Sequence, residues 1–123
     1  MLNLKSIMVG STQLSVMLEF YEKVFARAAD MVEEGSEYGW KVGNTYFLVG
    51  EHSEMKGTTA EPGRVIYNFE TEQVKEEFER IKATGATVVR EPYEMAGLSI
   101  ATFADPDGNY FQLMSPFEEL MGL

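Results

Sequence analysis

The chain has 123 residues and a formal net charge of −10, from ten Lys+Arg against twenty Asp+Glu. That length suits one domain of ordinary size, and the acidity argues against a nucleic-acid binder or a protein that docks on an anionic membrane. The absence of cysteine and the single histidine, His52, exclude disulfides and thiol nucleophiles and disfavour a zinc site.

Met1 to Gly10 holds one Lys and no apolar run of signal-peptide length. The longest unbroken apolar run, Tyr46 to Val49, is too short to span a bilayer. A cytoplasmic location is the expectation.

Leu4 to Gly10 alternates and is rich in aliphatics, which predicts a strand. Leu14, Leu18, Tyr21 and Phe25 then share one face of a helix. Ser11 or Thr12 is the expected N-cap, and the helix is expected to end within Arg27 to Asp30. Strand-like runs follow at Ala29 to Glu33, Tyr38 to Val42 and Thr45 to Val49, with turn signals at Gly35-Ser36 and Gly43-Asn44. Glu51 to Pro62 is polar and predicts a linker or mobile loop. On it His52, beside Glu51, Ser53 and Glu54, reads as a solvated loop residue.

The pattern then restarts. Arg64 to Glu70 alternates as a strand, Thr71 is placed to cap a helix, and Val74, Phe78 and Ile81 form one helical face. Gly85 fits a helix C-terminus. Strands follow at Thr87 to Arg90, Leu98 to Ala104 and Asn109 to Ser115, and Ser115 to Leu123 forms an amphipathic tail. The order β-α-β-β-β therefore occurs twice. An offset of 60 residues pairs Ile7 with Tyr67, Val9 with Phe69, Leu14 with Val74, Leu18 with Phe78 and Tyr21 with Ile81. Every pair is apolar on both sides. At the far end Gly43-Asn44 matches Gly108-Asn109. The chain reads as an internal duplication packed as one domain: a module over 1–50, a linker over 51–62, a second module over 63–115 and a tail over 116–123.

Strand side chains alternate between faces. Ile7, Val9, Tyr67, Phe69, Phe111 and Leu113 form an apolar set that should carry the helices. Ser6, Met8, Asn68, Glu70, Gln112 and Met114 occupy the other, mixed face. The expected fold is α+β, a curved mixed sheet with helices outside and a concave cleft lined by that mixed face, suited to a small ligand. Asp105-Pro106-Asp107-Gly108-Asn109 has the residues of a type I turn.

The run Phe103 to Leu113, containing Asp105-Pro106-Asp107-Gly108-Asn109 and Tyr110-Phe111-Gln112, resembles the closing hairpin of the glyoxalase/bleomycin-resistance/dioxygenase superfamily, the vicinal oxygen chelate proteins. Phe20-Tyr21-Glu22-Lys23-Val24 resembles that family's first helix. Gly85 to Pro92 resembles its helix-to-strand connection. Metal-dependent members hold a divalent cation with His, Glu or Gln from four equivalent strand positions. The resemblance places these at Ser6, Phe47, Ile66 and Gln112. Only Gln112 offers a ligand, and Ser6 a weak one, so no metal and no cofactor are expected. The family also contains metal-free, bleomycin-resistance-type members that sequester a drug.

Three functions follow as expectations. The first is a metal-independent binding or sequestering protein, of the antibiotic-resistance type, for an aromatic or cationic small molecule. Its cleft residues are Ser6, Met8, Ile66, Asn68, Glu70 and Gln112, together with Tyr38, Trp40, Phe47 and Tyr110, aromatics that either stack on a planar ligand there or fill the sheet–helix core or a dimer interface. The second is a superfamily enzyme (lyase, isomerase or dioxygenase-like) using Glu70 as base or a relocated metal. The third is a protein-interaction module. The resemblance further implies a homodimer.

Overall fold

In the computed structural model, which describes residues 1–116, the chain forms two compact units, Met1–Gly57 and a second that begins at Thr58. The first contains β1 (Ser6–Ser11), α1 (Leu14–Phe25), β2 (Met31–Glu33), β3 (Glu37–Val42) and β4 (Thr45–Glu51). The second contains a 3-10 turn (Pro62–Arg64), β5 (Tyr67–Glu70), α2 (Val74–Lys82), β6 (Thr87–Met95), β7 (Leu98–Ala104) and β8 (Tyr110–Met114). Each unit is a four-stranded mixed sheet with one helix, in the orders β1-β4-β3-β2 and β5-β8-β7-β6. In both, the first strand runs parallel to the last and the other pairs are antiparallel. The duplication read from apolar spacing is thus a duplication of topology, in an α+β fold.

The helix starts repeat as well. The N-caps are Gln13 and Gln73, with φ −124° in both. Ser11 Oγ accepts the Gln13 N–H at 3.0 Å and Thr71 Oγ1 accepts the Gln73 N–H at 3.1 Å. The hydroxyls therefore sit two residues before the caps and order the entering turn, in place of the expected capping by Ser11, Thr12 or Thr71. α1 stops at Phe25 because Ala26 adopts the left-handed conformation, φ 56°. That ending precedes the expected one and positions the Arg27 carbonyl to accept the Trp40 Nε1–H at 3.1 Å.

Each core lies between a sheet and its helix. In the first unit Leu14, Met17, Tyr21 and Val24 of α1 are buried, as are Val9, Trp40, Phe47 and Val49 of the sheet. Tyr21 lies 4.7 Å from Phe47, and Phe25 lies 5.3 Å from Trp40, between ring centroids. In the second, Val74, Phe78 and Ile81 pack with Phe103, Phe111 and Leu113. Phe78 stacks on Phe103 at 5.1 Å, and Phe103 on Phe111 at 5.5 Å. Ring pairs at such distances add to the hydrophobic burial.

The β7–β8 turn is built on Asp105, which is 5% exposed. Its Oδ1 accepts the N–H groups of Asp107 and Asn109, both at 2.9 Å, and its Oδ2 accepts Asn109 Nδ2 at 3.0 Å. The Gly108 N–H closes the turn on the Asp105 carbonyl at 2.9 Å, with φ 83° at Gly108. The turn expected over Asp105 to Gly108 is therefore closed by its own backbone hydrogen bond.

Three expectations are corrected. The segment read as a mobile linker is tied at both ends: the His52 N–H donates to Ser11 O, Thr12 Oγ1 to Met55 O, and the Thr59 N–H to Asp107 O. The 3-10 turn takes Arg64, the first residue of the strand expected over Arg64 to Glu70, and β5 begins only at Tyr67. β6 runs past Arg90 to Met95, with irregularities between Val88 and Arg90 and between Arg90 and Tyr93. It is an edge strand, where bulges and Pro92 are tolerated. The expected amphipathic tail lies outside the described residues beyond Pro116. Among the described residues, no helix is long and apolar enough to cross a membrane.

Candidate functional site

Each sheet has one face against its helix and one face that its helix leaves uncovered. Strand register places the residues of the helix-free face in rows. In the first unit the rows are Ser6–Tyr46–Lys41, Met8–Leu48–Gly39–Met31 and Gly10–Gly50–Glu37–Glu33. Glycines make room here. Leu48 Cδ2 lies where a Cβ at Gly39 would stand, and Met8 Cε comes within 2.8 Å of the position for a Gly50 Cβ. A pocket of about 340 Å³ opens on this face, lined by Lys5, Ser6, Met31, Tyr46 and Leu48. Lys5 Nζ stands 5.0 Å from the Tyr46 ring centroid, within reach of a cation–π contact.

In the second unit the central row is Asn68–Gln112–Thr102–Arg90, and the next is Glu70–Met114–Ile100–Tyr93. Gln112 Nε2 donates to Thr102 Oγ1 at 3.2 Å, and the Arg90 guanidinium carbon lies 3.7 Å from the Tyr93 ring centroid. Tyr110 precedes Gln112 on the same face of β8. Behind this sheet Tyr67 lies on the helix side. Burial first, and the Asp105 carboxylate second, raise its phenol above the ordinary 10.0, since both disfavour a phenolate.

The structure brings together Ser6 and Met8 in the first unit, and Asn68, Glu70, Tyr110 and Gln112 in the second, on helix-free faces as read. Met8 is 54% exposed, and Ser6, Asn68 and Glu70 are exposed. Ile66 is half-buried and lies one residue before β5. Tyr38, Trp40 and Phe47 are corrected. Trp40 pairs with Phe47, and Tyr38 with buried Val49. All three therefore lie on the helix side, with Trp40 0% and Phe47 2% exposed. The Tyr38 hydroxyl donates to Glu34 Oε2 at 3.4 Å. His52 is exposed, and its Nδ1 accepts the Glu54 N–H at 3.3 Å.

The fourth expected metal position moves with Phe47. Gln112 pairs with Asn68, the duplicate of Asn68 is Met8, and Met8 pairs with Leu48. The first-unit mirror of Gln112 is therefore Leu48. The four positions then hold Ser6, Leu48, Ile66 and Gln112. This set does not fit a borderline or hard divalent cation, which takes imidazole, thiolate or carboxylate ligands. Among the described residues, no three His, Asp or Glu side chains are grouped to hold a metal ion.

Sequence reasoning missed Arg90, Thr102 and Leu48. Thr102 was recoverable, because Ile100, Thr102 and Ala104 alternate with Ala101 and Phe103 along β7. Arg90 was not: Val88 pairs with helix-side Phe103 and Arg90 with Thr102, so an irregularity between them reverses the side.

Two βαβββ units with parallel outer pairs and helix-free faces define the architecture of the vicinal oxygen chelate proteins. Residues 6–114 match the glyoxalase-like domain family, and the chain belongs to that family, within the glyoxalase/bleomycin-resistance/dioxygenase superfamily. Several solved structures share the fold. A glyoxalase-related enzyme from Fulvimarina pelagi has a TM-score of 0.78 at 18% identity, covering 94% of this chain and 89% of that one. A lactoylglutathione lyase from Agrobacterium tumefaciens has a TM-score of 0.75 at 19% identity, covering 98% and 97%. A glyoxalase/bleomycin resistance protein/dioxygenase family enzyme from Burkholderia phytofirmans PsJN has a TM-score of 0.74 at 21% identity, covering 93% and 98%. At these identities the likeness is one of fold. No curated protein sequence matches the chain.

Proposed function

We propose that this glyoxalase-like protein binds a small organic molecule on its helix-free sheet faces without a metal. One observation supports this above others: register puts Leu48 and Met8 where the second unit has Gln112 and Asn68. An aliphatic and a thioether side chain there leave the first unit only the weak Ser6 hydroxyl among the expected metal positions, too little to hold a divalent cation. What remains is a pocket with Leu48, Met31 and Tyr46 in its wall and a row of hydrogen-bonding groups in the second unit. Apolar surface with a few convergent polar groups suits an organic ligand.

Elemental analysis of the purified protein, with thermal-shift screening of divalent metals and small organic compounds, tests this. A ligand of the native state raises the unfolding midpoint. The proposal expects organic compounds to raise it and Zn²⁺, Ni²⁺, Mn²⁺ and Fe²⁺ to leave it unchanged. A stoichiometric divalent metal in the purified protein overturns it and favours an enzyme of the superfamily.

A further inference from the structure

We infer that the helix-free face of the second sheet recognises the oxyanion head of a monoanionic small molecule with an apolar or aromatic body. This rests on the small-molecule reading above and names the ligand class.

The central row crosses all four strands of the sheet: Asn68 on β5, Gln112 on β8, Thr102 on β7 and Arg90 on β6. Adjacent strands are about 4.8 Å apart, so neighbours in the row can reach one small polar group together. Every member can donate. Thr102 is 5% exposed and its Oγ1 accepts from Gln112 Nε2. That bond leaves the Thr102 O–H to donate onward, and the second Gln112 amide hydrogen with it. Asn68 adds a further amide donor.

Arg90 supplies the charge. Stacking over Tyr93 at 3.7 Å occupies the face of the guanidinium and leaves its edge N–H groups for a bidentate bond to an oxyanion. In a chain with twice as many acids as bases, Arg90 has no ion pair among the described residues. Its sequence neighbour Glu91 lies near Lys82 instead, at 3.7 Å. A row of donors ending in a guanidinium with no ion pair among the described residues calls for a carboxylate or a phosphodiester, which share this chemistry.

The surroundings limit the rest of the ligand. Tyr110 and Met114, both half-buried, flank Gln112 along β8 and offer apolar surface on either side of the donor row. Glu70 ends the neighbouring row on β5, the edge opposite Arg90. It stands about 14 Å from the β6 edge by strand spacing. From there it leaves Arg90 unneutralised and disfavours a second negative charge on the ligand. The net charge of −10 draws cations over a Debye length, but the groups within contact distance of this row select an anion.

The test uses phenylacetate, the phosphodiester methyl phenyl phosphate, neutral phenylacetamide and cationic phenethylamine as probes on the whole chain. Calorimetry gives affinities, and ¹H–¹⁵N spectra follow Arg90 Nε and the Gln112 side-chain amide. At least one of the two anions should bind and shift both signals, with the amide and the amine at least tenfold weaker. Which anion is tighter identifies the head group. Arg90→Gln should weaken that anion at least tenfold and leave phenylacetamide unchanged, while Arg90→Lys, which keeps charge without the fork, should fall between. Failure of both anions to bind, equal binding of the amide, or an unchanged anion affinity in Arg90→Gln at an unchanged unfolding midpoint overturns the inference. Binding of the amide or amine in that event leaves the small-molecule reading standing. A stoichiometric metal removes that reading as well.

Discussion

Truncating Phe47 and Leu48 separately should produce opposite phenotypes. Phe47 is 2% exposed, and its ring lies 4.7 Å from Tyr21 and 5.7 Å from Phe25. A buried Phe→Ala change costs about 3–5 kcal/mol, from lost transfer free energy and from the cavity left behind. Rings of α1 on one side and the paired Trp40 on the other resist collapse into that cavity, so about 4 kcal/mol is expected for Phe47→Ala. Leu48 is half-buried, and its terminal methyl lies over Gly39 rather than in the core. Full burial of a Leu is worth roughly 1.5–3 kcal/mol, so Leu48→Ala should cost about 1 kcal/mol. Trp40 is the only tryptophan and lies in the same unit, so its fluorescence reports the relevant unfolding. With a urea dependence of about 2 kcal/mol/M, the two midpoints should differ by roughly 1.5 M. Leu48→Ala, not Phe47→Ala, should alter ligand binding measured on folded protein. A cost below about 1 kcal/mol for Phe47→Ala, or an equal cost for the two variants, would put Phe47 on the helix-free face. The register that makes Leu48 the mirror of Gln112 would then be refuted.

Asp105→Ala strands two backbone N–H groups and should cost about 3–5 kcal/mol, whereas Asp105→Asn keeps one acceptor oxygen and should cost about 1–2 kcal/mol. Thermal unfolding separates them by roughly 10 °C, and equal losses would show that the carboxylate does not organise the turn as described. The raised Tyr67 phenol means that the native state holds this proton more tightly than the unfolded chain. Its contribution is complete below about pH 10 and is lost as pH rises through the folded value. Tyr67→Phe should flatten the stability–pH profile above pH 10, and a variant profile as steep as that of the parent protein would remove Tyr67 as the source.

The tandem order of elements is legible in the sequence because it rests on local periods. Leu14, Tyr21, Val74, Phe78 and Ile81 mark helical stripes whose 3.6-residue period no strand shares. Ile7 and Val9, with Tyr67 and Phe69, mark strands by alternation. The ends of elements are less legible, because the same side chain serves more than one local structure. A Ser or Thr hydroxyl accepts an N–H two residues on in an entering turn as readily as it caps a helix. Ser11 and Thr71 do the former, which shifts both caps to glutamines that no N-cap preference would select.

The candidate site was legible only where alternation runs unbroken. Ser6, Met8, Asn68, Glu70 and Gln112 lie in uninterrupted stretches and face the side that period two assigns. Taking Phe47 as the counterpart of Gln112 assumes equal turns before the two strands. Val42 pairs with Thr45 across a two-residue turn, whereas Ala104 pairs with Tyr110 across five residues. The difference is odd, and an odd shift exchanges the faces of a strand. That slip carried Phe47 from the helix side to the other face and hid Leu48; Trp40 and Tyr38, whose faces the sequence pattern left open, share the helix side with Phe47. Arg90 disappears for the same reason, through a bulge instead of a turn. Bulges re-aim side chains on edge strands, so a charged residue placed by one can differ between relatives without disturbing the core. Specificity in such a duplicated sheet is then set where the sequence pattern is least readable, at residues such as Arg90 and Tyr93 on the irregular edge.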